Sequence, residues 1–224
     1  MPANGTAWFE WAPLIEAALR PGAPVPHEDL LLVRDSAGQL VRRFDPPPGL
    51  QPRLGAVLLL LYPDGADLRL PLTVRSDRLP SHRGEVSLPG GAIDPGEDGP
   101  VTAALRECHE ELGVEPASVS VWGTLSAFYI PPSNFRVTPV VGFRQEAALL
   151  RPNDDEVSAV ITVTLRELLD PATVLVERWT LRGIEVDVPF FAIEGYKVWG
   201  ATAIVLSELV ARMRRAMRAS SIES

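Results

Sequence analysis

A glycine-rich loop that leads directly into an acidic helix, at residues 87–114, constrains this chain more than any other segment. Pro100 follows Gly99, and proline is favoured at the first position of a helix. Gly113 is typical of the residue that follows the last turn of a helix. The pattern therefore predicts a helix over residues 100–112.

The two faces of this helix differ in chemistry. At about 100° per residue, one stripe carries Val101, Leu105, Cys108 and Leu112, and another carries Glu107, Glu110 and Glu111. Like charges one turn apart cost a helix about 0.2–0.5 kcal/mol per pair, so a cation is expected beside the acidic stripe. Mg²⁺ and Mn²⁺ prefer carboxylate oxygens, and three carboxylates on one turn suit them. Without the loop before it, such a cluster is more typical of a solvated helix face.

The loop and helix together resemble the Nudix box, the signature of the Nudix hydrolase family. The box has a glycine, a glutamate, an Arg-Glu pair, a Glu-Glu pair and a final glycine at fixed spacing, and the corresponding residues here are Gly91, Glu97, Arg106, Glu107, Cys108, Glu110, Glu111, Gly113 and Val114. Eight residues separate Glu97 from Arg106, where the general pattern has seven. The coenzyme A diphosphatase branch shares this longer loop and the opening Gly-Gly-x-x-Asp-Pro, found here at residues 90–95.

The resemblance implies the α/β fold of the family, an α/β/α sandwich with a central mixed sheet between helices. It also implies a metal site for Mg²⁺ or Mn²⁺, whose ligands are Glu107, Glu110, Glu111 and a backbone carbonyl of the Gly90-Gly91 loop. Arg106 is expected to pair with Glu97 and brace the loop against the helix. The apolar stripe places Cys108 in the core, so we do not expect it to act as a nucleophile.

The implied reaction is metal-dependent hydrolysis of a diphosphate by water. The predicted catalytic residues are Arg106, Glu107, Glu111 and Glu156, the last within a segment that resembles the same branch. Glu107 and Glu156 both remain candidates for the general base. The branch implies that coenzyme A or an acyl-coenzyme A is cleaved to 3′,5′-ADP and (acyl-)4′-phosphopantetheine.

Residues 72–91 resemble a second motif of coenzyme A diphosphatases. On this basis the candidate substrate-binding residues are Arg75, Ser76, Arg78, Arg83, Gly90 and Gly91. Pro80 and Leu88 stand where that motif has an arginine and a phenylalanine. Two alternatives therefore stay open: a hydrolase of ADP-ribose, NADH or another nucleoside diphosphate derivative, and a non-catalytic Nudix module that binds a nucleotide.

The rest of the chain reads as strands between loops, followed by a helix. Apolar periodicity predicts helices at 7–19 and 198–218 and strands at 55–62, 67–75, 119–130, 136–143 and 157–164. Three prolines at 46–48 indicate a linker. We expect an N-terminal extension at 1–52, a Nudix hydrolase domain at 53–218 and a tail at 219–224.

Charge and cysteine content restrict the partners. A formal net charge of −8 lacks the basic field that nucleic-acid binding needs, and the resemblance to Nudix hydrolases implies a small-molecule nucleotide as the substrate. The apolar run at 56–62 is far shorter than the roughly 20 residues that span a membrane. The single cysteine excludes an internal disulfide, and the start resembles no secretory signal, so we expect the cytoplasm. A homodimer is left open.

Overall fold

The computed structural model describes residues 8–76 and 85–222. In these ranges the helices are α1 (Trp11–Leu19), α2 (Pro100–Leu112), α3 (Leu165–Leu169) and α4 (Gly200–Ile222). The strands are β1 (Arg34–Asp35), β2 (Arg53–Asp64), β3 (Asp67–Arg75), β4 (Val86–Ser87), β5 (Gly90–Ala92), β6 (Ser120–Thr124), β7 (Phe128–Ile130), β8 (Phe135–Phe143), β9 (Val157–Thr164), β10 (Val174–Leu181), β11 (Ile184–Ile193) and β12 (Tyr196–Val198).

The larger sheet is mixed and is organised around β2. This strand pairs in parallel with β8 and antiparallel with β5. It meets β3 only beside the turn that joins them, from Tyr62 to Asp64, after which β3 runs between β9 and β4. The two strands predicted at 55–62 and 67–75 therefore pair with each other only beside the turn that joins them, and each pairs with different strands elsewhere in the sheet.

Both faces of β2 are buried, which explains its nearly continuous apolar sequence. On one face, Ala56, Leu58 and Leu60 share a core with Ala103, Ala104, Cys108 and Leu112 of α2. On the other face, Leu59 and Leu61 share a core that includes residues of α1 and α4. The sheet thus lies between α2 on one side and α1 and α4 on the other, and the predicted α/β sandwich is confirmed.

A second, smaller sheet consists of β1, β11 and β10, with β12 also paired to β11. The sequence analysis predicts no strand in this region, because charged residues interrupt the apolar alternation. Two of them, Arg178 and Asp187, face each other across the β10–β11 pair at 3.0 Å. Their pairing satisfies the charges that obscure the strand pattern.

Several predicted boundaries are correct and others are wrong. The predicted bounds of α2, β3 and β9 are confirmed, whereas α4 begins two residues later than predicted and extends to Ile222. A single strand over 119–130 is wrong, because β6 ends at Thr124 and β7 begins at Phe128. Between them, the Ser126 backbone N–H donates to Glu208 Oε1 of α4 instead of to a neighbouring strand. Of the helices in the described chain, none has the length and apolar character to cross a bilayer.

Candidate active site

Helix α2 fixes the orientation of the acidic residues. Pro100 occupies its first turn, and Gly113 ends it in the left-handed region at φ 68°, with its N–H donating to the His109 carbonyl at 2.8 Å. Cys108 lies in the α2 core, where burial raises the pKa of its thiol to about 12. The core face is thereby fixed, and the carboxylates project from the remaining surface of the helix.

Arg106 connects the acidic residues to the glycine-rich loop. Its Nε donates to Glu97 Oε1 at 2.8 Å, which confirms the predicted pairing. Its Nη1 donates to Glu107 at 2.8 Å and to Glu110 at 2.9 Å. Its Nη2 reaches the Ala92 carbonyl at 2.9 Å, a contact that the sequence did not predict. One guanidinium therefore braces both the loop and two glutamates, and its hydrogen bond lowers the pKa of Glu97.

Gly90 and Gly91 are required for different reasons. Both pair with β2, and a Cβ on Gly90 would lie 2.4 Å from the Ala56 carbonyl oxygen. A Cβ on Gly91 would lie 2.2 Å from Glu107 Oε1. Gly90 is thus needed by the sheet, and Gly91 by the close approach of the loop backbone to the Glu107 carboxylate.

Burial raises the pKa of two of the glutamates. Glu111 is only 5% exposed, and its pKa is raised to about 7 chiefly by burial, against a hydrogen bond of 3.3 Å from the Gly90 N–H. Burial also raises the pKa of Glu107, although Arg106 opposes the shift. The charges of Glu107 and Glu156 add to the cost of ionising Glu111. A divalent cation is the partner that would offset this excess of negative charge.

The donors fit Mg²⁺ or Mn²⁺ in chemistry. Carboxylate oxygens and loop backbone lie in direct apposition at Gly91 and Glu107, and oxygen is the donor that these ions prefer. Among the described residues, however, no three His, Cys, Asp or Glu side chains converge on one point. Arg106 Nη1 donates to both Glu107 and Glu110, so it competes with an ion for these two carboxylates.

Glu156 reaches this region from the turn before β9, and Asn153 fixes that turn. The Asn153 backbone N–H donates to the Glu111 carbonyl at 2.9 Å, and its own carbonyl accepts from the Glu156 N–H at 3.0 Å. The Asn153 side-chain oxygen accepts from the Asp155 N–H at 3.2 Å. Sequence reasoning missed Asn153, although an asparagine before two aspartates is typical of such a turn.

The predicted substrate residues fall into two groups. Arg75 ends β3, and its charge acts on Glu111, while Ser76 is buried and its N–H donates to the Glu156 carbonyl at 2.9 Å. Arg78 and Arg83 lie outside the described residues, as does Pro80. Leu88 packs in the core on the α1 and α4 side of the sheet. The structure thus brings Arg75, Ser76 and Glu156 to the carboxylates of α2.

Comparison with known proteins identifies the family. The NUDIX domain model matches residues 51–181, more than half of the chain. This chain belongs to the Nudix family.

Three curated relatives show how far the likeness extends. Nudix hydrolase 3 of Caenorhabditis elegans is 44% identical over 122 residues, which are 53% of this chain and 50% of that protein. Nudix hydrolase 15, mitochondrial, of Arabidopsis thaliana is 34% identical over 71% of this chain and 58% of the relative. The uncharacterized Nudix hydrolase NudL of Escherichia coli K12 is 38% identical over 62% of this chain and 71% of the relative. The chain spans about half to three fifths of the length of the first two relatives. The cytoplasm stays a prediction as its compartment.

Proposed function

We propose that this chain is a metal-dependent hydrolase of a nucleoside diphosphate derivative, with coenzyme A or an acyl-coenzyme A as its substrate. One observation carries the proposal. Glu107 and Glu111 are partly or fully buried, mutually repelling carboxylates that lie against the Gly90-Gly91 backbone. Such an arrangement is costly in the absence of a cation and is suited to holding one.

The proposed ligands of Mg²⁺ or Mn²⁺ are Glu107, Glu110, Glu111 and a carbonyl of the Gly90-Gly91 loop. When bound, such an ion polarises the diphosphate, neutralises charge that develops on it and lowers the pKa of water. Arg106 holds the loop against α2 by donating hydrogen bonds to Glu97 and to the Ala92 carbonyl. Arg75 offers a guanidinium on the same side as Glu111, where it suits a phosphate oxygen.

Hydrolysis requires a group that accepts the proton of the attacking water. Water attacks one phosphorus, the bond from that phosphorus to the bridging oxygen breaks, and the proton passes to a carboxylate. Glu107 and Glu156 are the two candidates for this role, and the charge of each acts on Glu111. Glu156 is exposed on a turn whose backbone is fixed by hydrogen bonds with Asn153 and Ser76. Its side chain can therefore approach the substrate while the backbone of the turn stays in place.

The coenzyme A assignment is supported by the long spacing between Glu97 and Arg106 and by residues 72–91. Pro80 and Leu88 depart from the branch motif, which keeps ADP-ribose and NADH as rival substrates. Leu88 is a core residue, 3% exposed, so its departure from the motif is explained by packing. The names of the relatives specify no substrate.

The test is hydrolysis of coenzyme A, acetyl-coenzyme A, ADP-ribose and NADH with Mg²⁺ or Mn²⁺, with products resolved by chromatography. Wild type is compared with Glu111→Gln and with the control Glu115→Gln, whose side chain is 75% exposed beyond the end of α2. We expect 3′,5′-ADP from the coenzyme A substrates in wild type and control, and loss of turnover in Glu111→Gln.

Other outcomes separate the alternatives. Turnover of ADP-ribose or NADH alone would retain the hydrolase and exclude coenzyme A as the substrate. Nucleotide binding without metal-stimulated turnover of any substrate would contradict the hydrolase and favour a binding module.

A further inference from the structure

A cavity of about 220 Å³ lies between α4, the N-terminal segment and the β6–β7 connection. The lining residues that matter for its chemistry are Phe44, Asp45, Ser126, Phe128, Arg136 and Glu208. The carboxylates of the candidate active site, in contrast, are on α2 and on the turn before β9. The volume is below the roughly 300–1,000 Å³ of sites for drug-sized ligands, so the cavity encloses only part of a ligand as large as a nucleotide.

Glu208 provides a hydrogen-bond acceptor at the wall of this cavity. The residue is 4% exposed. Its Oε1 accepts from the Ser126 N–H at 3.0 Å and from Arg212 Nε at 2.9 Å, and it lies 2.8 Å from Arg212 Nη2. Its Oε2 has no hydrogen-bond partner among the residues that the structure describes. Because Arg212 already neutralises the charge, a neutral N–H donor suits Oε2 better than a metal ion.

Ser126 provides a donor beside that acceptor. Its Oγ accepts from Arg212 Nη2 at 3.2 Å, which leaves its hydroxyl hydrogen to donate. Within the described part of the chain, this hydrogen has no acceptor. The same arginine therefore orients an acceptor and a donor side by side. This pair complements the edge of adenine, where an amino group lies beside a ring nitrogen that accepts a hydrogen bond.

The remaining walls suit the other parts of a nucleotide. Phe128 supplies an aromatic ring on which a base can stack, and the Arg42 guanidinium lies over this ring at 5.1 Å from its centroid. Phe44 is already covered by His27, which stacks on it at 4.1 Å, and by Arg42. Arg136 is half-buried at the cavity and, in residues 8–76 and 85–222, has no ion-pair partner. An arginine of this kind suits a phosphate, while Asp45 can accept from a ribose hydroxyl.

We propose that this cavity binds an adenine nucleotide, with the amino edge of the base on Glu208 and Ser126 and the phosphate on Arg136. The base has two conceivable sources, the substrate of the enzyme and a free adenine nucleotide. Both use the same recognition chemistry. Binding in this cavity needs no metal and no hydrolysis, so it can be tested even if the proposed function fails.

The experiment is calorimetric titration of the full chain with AMP, IMP and adenosine in the presence of EDTA. AMP and IMP differ in the edge that meets Glu208 and Ser126, since IMP has a carbonyl and a ring N–H in place of the amino group and the acceptor nitrogen. We expect AMP to bind with a Kd below about 1 mM and IMP at least about ten-fold more weakly. Adenosine should bind more weakly than AMP, because it lacks the phosphate for Arg136.

Three variants locate the ligand. Ser126→Ala should weaken AMP binding about ten-fold, whereas Thr124→Ala, an exposed position in the preceding strand that does not line the cavity, should leave it unchanged. Arg136→Met should weaken AMP but not adenosine. Equal affinities for AMP and IMP, an unchanged Ser126→Ala variant, or no AMP binding up to about 1 mM would overturn the proposal. The comparison of AMP with IMP uses wild type only, so it does not depend on the folding of any variant.

Kinetics then distinguishes the two sources of the base. If the substrate places its own adenine in the cavity, AMP inhibits competitively and Ser126→Ala raises KM. If a free nucleotide binds there, AMP changes kcat while KM for the substrate stays constant. Either result supports the cavity only if Ser126→Ala weakens the effect of AMP. An AMP effect that is unchanged in this variant would assign AMP to the active site and would count against the cavity.

Discussion

Two buried glutamates, on helices at opposite sides of the central sheet, have different surroundings. Glu111 of α2 is 5% exposed and Glu208 of α4 is 4% exposed. Glu208 receives two hydrogen bonds at one oxygen and an ion pair with Arg212 at 2.8 Å. Glu111 receives one hydrogen bond of 3.3 Å from a backbone amide and faces two further carboxylates. Burial is alike in the two cases, but only one of the charges is neutralised within the chain.

The difference separates an acid whose charge is neutralised within the chain from an acid whose charge is not. A buried carboxylate that is paired with an arginine contributes to the stability of the fold. Removing that carboxylate destabilises the protein, because the arginine is left unpaired. A buried carboxylate among other carboxylates destabilises the chain until a cation binds. The partners of a buried acid, rather than its burial, therefore indicate its function.

The largest expected effect on stability comes from the α4 side. Glu208→Ala leaves Arg212 and the Ser126 N–H without their acceptor, and loss of one partner from a buried ion pair costs about 3–5 kcal/mol. We expect about 3 kcal/mol, since the Arg212 side chain is 17% exposed and water can partly solvate it. Urea unfolding with excess EDTA measures this. An unfolding free energy equal to that of wild type would show that the pairing of Glu208 with Arg212 does not stabilise the fold.

Glu111→Gln should increase the unfolding free energy of the metal-free protein at pH 8, whereas Glu208→Ala lowers it. The folded pKa of Glu111, about 7, lies above its ordinary value of 4.5. The stability contributed by its protonated form is therefore complete below pH 4.5 and is lost as the pH rises to about 7. We expect the variant to gain about 3 kcal/mol over wild type across this window.

Unfolding of both proteins in EDTA between pH 4.5 and 8 checks this prediction. The difference should be smallest at the acid end and largest at pH 8, and Mg²⁺ should reduce it by stabilising wild type more than the variant. A pH-independent difference would contradict the proposed cost of ionising Glu111.

Substitutions of the two loop glycines on the α2 side distinguish an effect on activity from an effect on stability. Gly91→Ala places a Cβ 2.2 Å from Glu107 Oε1, and this carboxylate can turn away, so we expect near-normal stability but activity reduced about a hundred-fold. Gly90→Ala meets the rigid backbone of β2 at 2.4 Å from the Ala56 oxygen and should lose about 1–3 kcal/mol. Thermal unfolding and metal-dependent turnover of both variants distinguish the two. Full activity of Gly91→Ala would show that Glu107 has no need to lie against the loop.

The smallest effect is expected at the turn that carries Glu156. Asn153→Ala removes the acceptor of the Asp155 N–H and should lower kcat about five-fold, on the order of 1 kcal/mol, while Asn153→Asp keeps the acceptor and the activity. In a Glu156→Gln background the alanine change should have no further effect, because it acts through Glu156. Additive losses would instead assign Asn153 a role independent of Glu156.

The two sides also differ in how much of them the sequence predicts. Around α2, Pro100 and Gly113 set the helix limits, and the spacing of Glu97 and Arg106 predicts their contact, because these signals are local. The contact of Arg106 with the Ala92 carbonyl and the role of Asn153 depend on how the loop and turn fold back on the helix. Residue types alone do not give that geometry.

On the α4 side the informative contacts are separated widely along the chain. Ser126 and Glu208 meet across 82 positions, and their meeting interrupts the strand predicted over 119–130. In β10 and β11, the ion pair of Arg178 and Asp187 replaces the apolar alternation on which strand prediction relies. Such tertiary pairs override local pattern, so the cavity and the smaller sheet were not predictable from the sequence.

The most direct test of the metal site is Mn²⁺ binding, measured by electron paramagnetic resonance without substrate. Wild type, Glu107→Gln, Glu111→Gln and the control Glu115→Gln are titrated under the same conditions, with folding verified by circular dichroism. We predict saturable binding by wild type and the control, and at least about ten-fold weaker binding by the other two variants. Equal Mn²⁺ affinity in all four proteins would contradict the assignment of the α2 carboxylates as the metal site.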